Sequence, residues 1–191
     1  MVNKRLTQKF MPKPHKVVPI GNMGSDADLI LPNKSGHQRN NLIFDKGGMC
    51  YGEIWVMGNA TADTIATATL SQMTRFANNG ESNNTTPDHT NDHITILKKG
   101  KYLVIISLAF KGDASVEWDF RLYTNNRATA FNNVHTDRKL GAGGDVGSAS
   151  LSGICDFAVN DTVELWMKHE AGVNKDITVE DCTLSIVQIG G

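Results

Sequence analysis

Long apolar segments are missing from this sequence. The longest apolar run, from Tyr102 to Phe110, is interrupted by Ser107 and is far shorter than the roughly 20 residues that a membrane-spanning helix needs. The N-terminal residues are cationic and polar, and no apolar stretch follows them, so they do not have the pattern of a secretory signal. We therefore expect a protein that is made in a cytoplasm and has no membrane as its partner.

Cysteine is scarce, and neither sign of charge is in excess. Cys50, Cys155 and Cys182 are widely spaced, lie in strand-like apolar segments and form no metal-type pair. We interpret them as small buried thiols, with a disulfide or a reactive thiol as the alternative. The net charge of −1 argues against nucleic acid as the partner of the whole chain.

Motifs of catalysis and of cofactor binding are also missing. The sequence has no P-loop and no GxSxG motif, and "GAGGDVG" departs from the dinucleotide fingerprint because Val146 stands at its third glycine. No carboxylate pair lies in the apolar strand context that a glycoside hydrolase would favour. We predict a protein that is not an enzyme, with no catalytic residues and no cofactor.

The first 45 residues differ in composition from the rest. They hold four of the five prolines and no acidic residue before Asp26. We predict that residues 1–45 are an extended arm that gains structure on an assembly surface, and that residues 46–191 form one domain. A merely solvated basic terminus and a contact with nucleic acid are the alternatives. The residues predicted to anchor the arm are its basic and apolar ones: Lys4, Arg5, Lys9, Lys13, Lys16, Leu29, Ile30 and Leu31.

From Cys50 onward the pattern is typical of an all-β protein. The segment 116–122 places Val, Trp, Phe and Leu at alternate positions between charged residues, which predicts a half-buried strand. Residues 64–76 fit a strand or a helix, and their threonines favour the strand. Residues 76–93 predict a long polar loop. Short strands at turn-marked intervals predict a two-sheet sandwich or jelly roll.

Two predicted strands, Tyr102–Phe110 and Leu184–Ile189, are apolar on both faces instead of one. Strands of this kind are normally covered on both faces. The opposite sheet can cover one face, and since no helix is predicted, other copies of the chain are expected to cover the second. The candidate residues for this contact between subunits are Tyr102, Val104, Ile106, Leu108, Leu184, Ile186 and Ile189.

The segment "PDHTNDH" is the best metal candidate, because Asp88, His89, Asp92 and His93 offer two carboxylates and two imidazoles. The alternative is ordinary turn chemistry, in which Asp and Asn bond their own backbone. His135 and His169 are isolated in the sequence and are expected to be exposed.

Three tryptophans are spread along the domain, at positions 55, 118 and 166. Trp55, Trp118 and Trp166 are expected in the core or at subunit contacts, with a sugar-stacking platform as the alternative.

Several of these segments resemble one family. "ITILKKGKYLVIISLAF" resembles the "I-x-I-x-x-x-G-x-Y-x-V" strand of the C1q/TNF-like jelly roll, "FAVNDTVELWM" is similar to its "aGDxVxLxV" strand, and "TLSIVQI" to its closing strand. The resemblance covers residues 50–191 and looks like the version found in structural proteins of tailed bacteriophages. It implies an all-β sandwich of about ten strands in two sheets. Three such sandwiches would pack around a threefold axis.

The resemblance and the arm together imply a function. We expect a non-enzymatic virion protein, a homotrimeric capsid decoration protein of the cement or head-fibre type, made in the host cytoplasm and located on the capsid surface. Its partners would be its own copies and the major capsid protein or another virion protein, which the arm binds. The alternative is a receptor-binding tip domain of a tail fibre or spike, with a host-surface glycan as its partner.

Overall fold

The computed structural model describes residues 48–141 and 145–191, and this part of the chain is a β sandwich without α-helix. No helix in it could cross a membrane. Ten strands have three or more residues and two are shorter, which agrees with the predicted all-β class and strand number. The strands are β1 (Tyr51–Val56), β2 (Asp63–Ile65), β3 (Ser71–Gln72), β4 (Asn78–Asn79), β5 (Thr85–Asp88), β6 (His93–Ile96), β7 (Gly100–Gly112), β8 (Glu117–Thr124), β9 (Thr129–Lys139), β10 (Val146–Phe157), β11 (Thr162–His169) and β12 (Lys175–Gly190).

The strands form two antiparallel sheets. Sheet I has the order β10-β7-β12-β1-β4, and β2 also pairs with β12. Sheet II has the order β5-β6-β11-β8-β9, and β3 also pairs with β11. Neighbouring strands in sheet I are far apart in the sequence, and the long strand β12 joins β1 to β7. Sheet II contains two pairs of consecutive strands, β5 with β6 and β8 with β9.

Alternation of side chains decides which face of each strand enters the core. In β8, Trp118, Phe120 and Leu122 are fully buried, while Asp119 and Arg121 point away from the core. The clean alternation predicted for this segment is confirmed. The two inner faces meet in aromatic contacts such as Phe110 of sheet I against Phe120 of sheet II, whose ring centroids lie 5.0 Å apart.

One of two further segments differs from its prediction. Residues 76–93 are not one loop, because they contain β4 and β5, and β5 pairs with β6 as an edge strand that tolerates Pro87. Residues 64–76 contain the end of β2 and all of β3 and no helix, which confirms the favoured alternative. The three cysteines are free and buried, as interpreted from the sequence.

His169 is a further correction, because it is buried and not exposed. Its Nε2 lies 2.9 Å from the carbonyl oxygen of Ile65, and its ring packs edge-on against Trp118 at a centroid distance of 5.1 Å. The alternation of β11 explains the burial, since His169 has the same parity as Leu165 and Met167, which face the core.

The turn between β8 and β9 contains three consecutive residues with left-handed backbone, Asn125, Asn126 and Arg127, with φ of 55°, 53° and 69°. Such backbone costs free energy in residues other than glycine. Both carboxylate oxygens of Glu164 accept the Asn126 N–H, at 3.0 and 3.1 Å. Glu164 also accepts the indole N–H of Trp166 at 2.9 Å, so this carboxylate ties the turn to β11.

Candidate assembly surface

The outward face of sheet I carries an apolar row across four strands. The register aligns Leu103 of β7 with Ile154 of β10 and with Val187 of β12, and Val187 in turn with Tyr51 of β1. Side chains at paired positions of neighbouring strands are in contact range. The four side chains therefore form one continuous stripe, which we call the apolar row.

The described residues leave this stripe and its neighbour Ile105 accessible to solvent. Ile105 is 47% exposed, Ile154 55% and Tyr51 36%, although Ile105 lies in the interior of the sheet between β10 and β12. Leu103 and Val187 are half-buried. A contiguous apolar surface of this kind is typical of a contact with another molecule.

Small hydroxyl and methyl side chains cover the sheet beside the apolar row. They line a shallow depression of about 420 Å³ on the same face of sheet I. Ser107 of β7 is aligned with Ser150 of β10 and with Thr183 of β12, so hydroxyl groups lie side by side in the depression, and Asp181 also lines it. Covering hydroxyl groups costs far less than covering unpaired charges.

Charged groups lie mainly at the margins of this face and are paired. Lys101 contacts Asp156 at 3.3 Å at one end of β7, and Lys111 contacts Glu180 at 2.5 Å at the other. The carboxylate of Glu53 accepts the Ser185 hydroxyl at 2.8 Å. The face thus has an apolar and small-residue centre with a polar rim, which is the usual anatomy of a protein–protein interface.

The residues predicted for the subunit contact lie mostly on the other face of the same strands. Ile189 is 40% exposed, but the remaining six are buried inside the single chain: Tyr102, Val104, Ile106, Leu108, Leu184 and Ile186. A side chain that the opposite sheet already covers cannot also contact a second subunit. The choice of face was therefore wrong for these six residues, while the trimer itself stays a prediction.

The four predicted metal ligands at positions 88–93 are used to build the tight turn between β5 and β6. Asp88 accepts the backbone N–H groups of Thr90 and Asn91, each at 3.1 Å, and these bonds lower its pKa together with the stronger side-chain bond from Asn91. His89 Nδ1 lies 3.2 Å from the side-chain oxygen of Asn79, and His93 Nδ1 lies 3.1 Å from the Asn91 carbonyl oxygen. Within one chain these side chains do not converge as a ligand set.

Asp92 is buried in the same turn and has a left-handed backbone, with φ of 55°. Burial raises its pKa to about 6, although the Phe76 N–H that donates to its Oδ1 and the nearby Arg75 both oppose the shift. Arg75 itself is ion-paired with Asp63. The structure therefore gives Asp92 the role of holding Phe76 in place, and not that of a metal ligand.

A side-chain cluster that sequence reasoning missed lies on the outward face of sheet II. Asp119 of β8 meets His135 and Asp137 of β9 there, and within residues 48–141 and 145–191 this is the set of acidic and histidine side chains that comes together with metal-like spacing. His135 is thus not isolated. The alternating "HTD" of residues 135–137 was the available signal, but nothing in the sequence tells that Asp119 lies opposite.

The three tryptophans lie in three different surroundings. Trp118 is in the core, Trp55 is half-buried on the outward face of sheet I, and Trp166 lies on the outward face of sheet II beneath Arg127, whose guanidinium carbon is 5.4 Å from the ring centre. The expected core position is confirmed for Trp118, and a subunit contact of Trp55 or Trp166 stays a prediction. They do not form a shared sugar-stacking platform within one chain.

The proposed anchor residues of the arm, Lys4, Arg5, Lys9, Lys13, Lys16, Leu29, Ile30 and Leu31, lie outside the described residues. The predicted boundary between residues 45 and 46 lies outside them too, so the arm and its boundary stay predictions.

Comparison with solved structures identifies the fold. The chain is similar to the TNF protein Eiger from S. frugiperda, with a TM-score of 0.54, 11% identity, and coverage of 74% of this chain and 92% of that one. It is similar to murine APRIL at pH 5.0, with a TM-score of 0.51, 10% identity, and coverage of 74% and 99%. The globular domain of a zebrafish complement 1qA protein gives a TM-score of 0.50, 12% identity, and coverage of 73% and 97%.

These likenesses span nearly the whole of each solved domain, so the sandwich has the C1q/TNF-like jelly-roll fold that the sequence motifs predicted. No protein-family model matches the sequence, and no curated protein matches it.

Proposed function

We propose that this C1q/TNF-like chain is a non-enzymatic structural protein of a bacteriophage virion, which forms homotrimers on the capsid surface and is anchored there by residues 1–45. The observation that carries the proposal is the outward face of sheet I. Its apolar row, together with Ile105, is a surface that residues 48–141 and 145–191 leave accessible to solvent.

Second copies of the same chain are the occupants that this surface fits best. Burying an aliphatic side chain contributes about 1.5–3 kcal/mol, so covering the row and Ile105 offsets much of the cost of association. The resemblance to C1q/TNF-like domains implies three copies around an axis, and the shallow depression beside the row, lined mostly by small side chains, lets another subunit approach closely.

The absence of an enzymatic role is supported by how the buried acids are used. Glu164 is occupied by the N–H groups of Asn126 and Trp166, and Asp92 by the N–H of Phe76. Both oxygens of Glu164 and the Oδ1 of Asp92 therefore already accept hydrogen bonds within the chain, which does not suit a general acid or base.

The viral part of the proposal depends on the resemblance to phage structural proteins and on the composition of the arm. Five basic residues within the first 16 positions suit binding to an acidic or carbonyl-rich surface of the major capsid protein or of another virion protein. The protein would then be made in the host cytoplasm and carried on the capsid.

The oligomeric state is the first test. Light scattering of the full chain should give three times the chain mass of 20.8 kDa. Ile105→Asp places a charge beside the apolar row and should leave a folded monomer. Val173→Asp is the matched control, because Val173 is 63% exposed in the loop between β11 and β12 and lies off this face, so that variant should stay a trimer.

A monomeric wild type, or an Ile105→Asp variant that stays trimeric, would overturn the trimer proposal. Cryo-electron microscopy of intact virions tests the capsid assignment, and protection of residues 1–45 from protease on capsids tests the anchor. A chain located at the tip of a tail fibre would replace decoration by the receptor-binding alternative.

A further inference from the structure

Two opposing carboxylates and an imidazole share the outward face of sheet II. The register sets Asp119 of β8 directly opposite Asp137 of β9, and Arg121 directly opposite His135. Like charges at directly paired positions destabilise a sheet unless a cation lies between them. His135 is the side chain that reaches both acids, with its Nε2 3.4 Å from Asp119 Oδ1 and 3.3 Å from Asp137 Oδ1.

These two separations are long for hydrogen bonds between charged groups, which are about 2.7–2.9 Å. They match instead the spacing of ligand atoms around a tetrahedral metal. Bonds of about 2.0–2.1 Å from zinc to nitrogen and oxygen place neighbouring ligand atoms about 3.3–3.4 Å apart. Two of the three separations between ligand atoms therefore already match those that a bound zinc ion would impose, and the three atoms all lie within 4.8 Å of one another.

Asp119 contributes an independent observation. Its Oδ1 is buried and has no hydrogen-bond partner among the described residues, and this is the oxygen that faces His135. Its other oxygen, Oδ2, accepts the Arg121 Nη2 at 3.3 Å and has Lys168 Nζ at 3.8 Å. Both neighbouring cations thus lie on Oδ2, and Lys168 is also paired with Glu170 at 2.5 Å, which leaves Oδ1 for a different ligand. A buried carboxylate oxygen without a hydrogen-bond donor costs free energy, so the missing partner of Asp119 Oδ1 needs an explanation.

An irregularity in β9 brings the imidazole to this place. Arg121 pairs with His135, whereas the next residue, Leu122, pairs with Phe131, so residues 132–134 are extra on the β9 side. Bulges of this kind turn the strand and redirect the side chains beside them, often at functional sites.

We infer that Asp119 Oδ1, His135 Nε2 and Asp137 Oδ1 bind one divalent transition-metal ion per chain, with Zn²⁺ as the first choice and water in the fourth position. An imidazole nitrogen selects such a metal over Ca²⁺ or Mg²⁺. The ion would join the edge strand β9 to β8 on the face away from sheet I. The inference is independent of the proposed trimer and of the capsid role.

The test uses the full chain, freed of metal with a chelator and titrated with ZnCl₂ near neutral pH by calorimetry, with thermal unfolding measured in parallel. One Zn²⁺ per chain and a raised Tm are expected. His135→Gln and Asp137→Asn should each weaken Zn²⁺ binding at least about tenfold. His89→Gln is the matched control, because His89 belongs to the turn between β5 and β6, and it should bind as the wild type does. Co²⁺ should give the intense visible absorption of a tetrahedral site in wild type and not in His135→Gln.

Each remaining outcome would overturn the inference. Absence of Zn²⁺ binding by the wild type would do so directly. Loss of binding in His89→Gln with retention in His135→Gln would move the site to residues 88–93. One ion per three chains would indicate a site on a symmetry axis, and an equal response to Ca²⁺ or Mg²⁺ would exclude a transition-metal site. The circular dichroism spectra of His135→Gln and Asp137→Asn are compared with that of the wild type, so that a folding defect is recognised.

Discussion

The outward faces of the two sheets differ in how their polar groups are satisfied. On sheet II, charged side chains of β8 and β11 lie side by side and bond one another or the neighbouring turn, as Asp119 does with Arg121 and Glu164 with Asn126. On sheet I, the centre of the face is occupied by the apolar row and by hydroxyl groups, and ion pairs lie at the margins. The same sandwich therefore has one outward face whose charged groups mostly bond within the chain, apart from groups such as Asp119 Oδ1, and one whose apolar centre stays exposed.

This difference indicates which of the two outward faces is available to a partner protein. A surface whose charges are already paired within the chain gains little from a new contact and loses hydration when it is covered. A surface of half-exposed aliphatic and small side chains gains from being covered. The comparison predicts that removing a carboxylate that accepts hydrogen bonds on the outward face of sheet II reduces the stability of the fold, whereas the equivalent substitution on sheet I has a small effect on it.

The largest effect is expected for Glu164→Ala on sheet II. The substitution leaves the N–H groups of Asn126 and Trp166 without their acceptor and removes the support of the left-handed turn. The buried indole N–H of Trp166 costs about 1–3 kcal/mol without a partner, and the part-buried Asn126 N–H adds about 1 kcal/mol, so we expect a loss of about 2–4 kcal/mol in the free energy of unfolding. Urea denaturation followed by tryptophan fluorescence measures it, and a loss below about 1 kcal/mol would contradict the role given to this carboxylate.

An intermediate effect of opposite sign is expected for Asp92→Asn, in the turn between β5 and β6 of sheet II. Because burial raises the pKa of Asp92 from 3.8 to about 6, the stability that this carboxyl contributes is full below about pH 4 and is lost as pH rises through about 6. Asn keeps an acceptor for the Phe76 N–H, adopts left-handed backbone readily and carries no charge to bury. The variant should be more stable than wild type above pH 6, by about 1–3 kcal/mol.

The measurement for Asp92→Asn is urea unfolding of both proteins at about pH 4 and at about pH 7.5, since the difference should vanish at the lower pH. An equal difference at both pH values would show that the gain does not come from ionisation of Asp92.

The smallest effect is expected for Glu53→Ala, the matched control for Glu164 on sheet I. Glu53 is half-buried, and its observed partner is the Ser185 hydroxyl at 2.8 Å. Loss of one such bond on an accessible face costs about 0.5–1 kcal/mol. Urea unfolding at the same chain concentration compares the two variants. If Glu53→Ala were as destabilising as Glu164→Ala, the two faces would not differ in the way described.

The architecture could be predicted from the sequence because alternation and turn residues are local signals. The strand around Trp118 and Phe120 shows this, since its apolar and charged residues alternate without exception. Orientation was harder where both parities are apolar, as in β7. The face of β7 that carries Leu103 and Ile105 also carries Lys101, Ser107 and Lys111, and these polar residues mark it as the outward face. A search limited to apolar residues does not use them.

The candidate metal site could not be predicted for a different reason. Asp119 and Asp137 become neighbours through the register of β8 and β9, and the bulge at residues 132–134 sets that register. No local pattern encodes an irregularity of this kind, because the extra residues are recognised only once the partner strand is known. Conversely, the acids and histidines at positions 88–93 looked like a site because they are close in sequence, whereas the turn directs them to backbone groups.

The position of β12 at the centre of sheet I has a consequence for how the chain acquires its fold. In sheet I, β12 (Lys175–Gly190) is the strand that lies between β1 and β7. More than 120 further residues must therefore be synthesised after Val56 before the two halves of that sheet can pair. Until then the edges of β1 and β7 that pair with β12 have unpaired backbone groups, and apolar side chains beside them are exposed. Nascent chains in such a state aggregate or bind chaperones. Synthesis speed and chaperone supply in the producing cell should therefore control the yield of this protein more strongly than its final stability does.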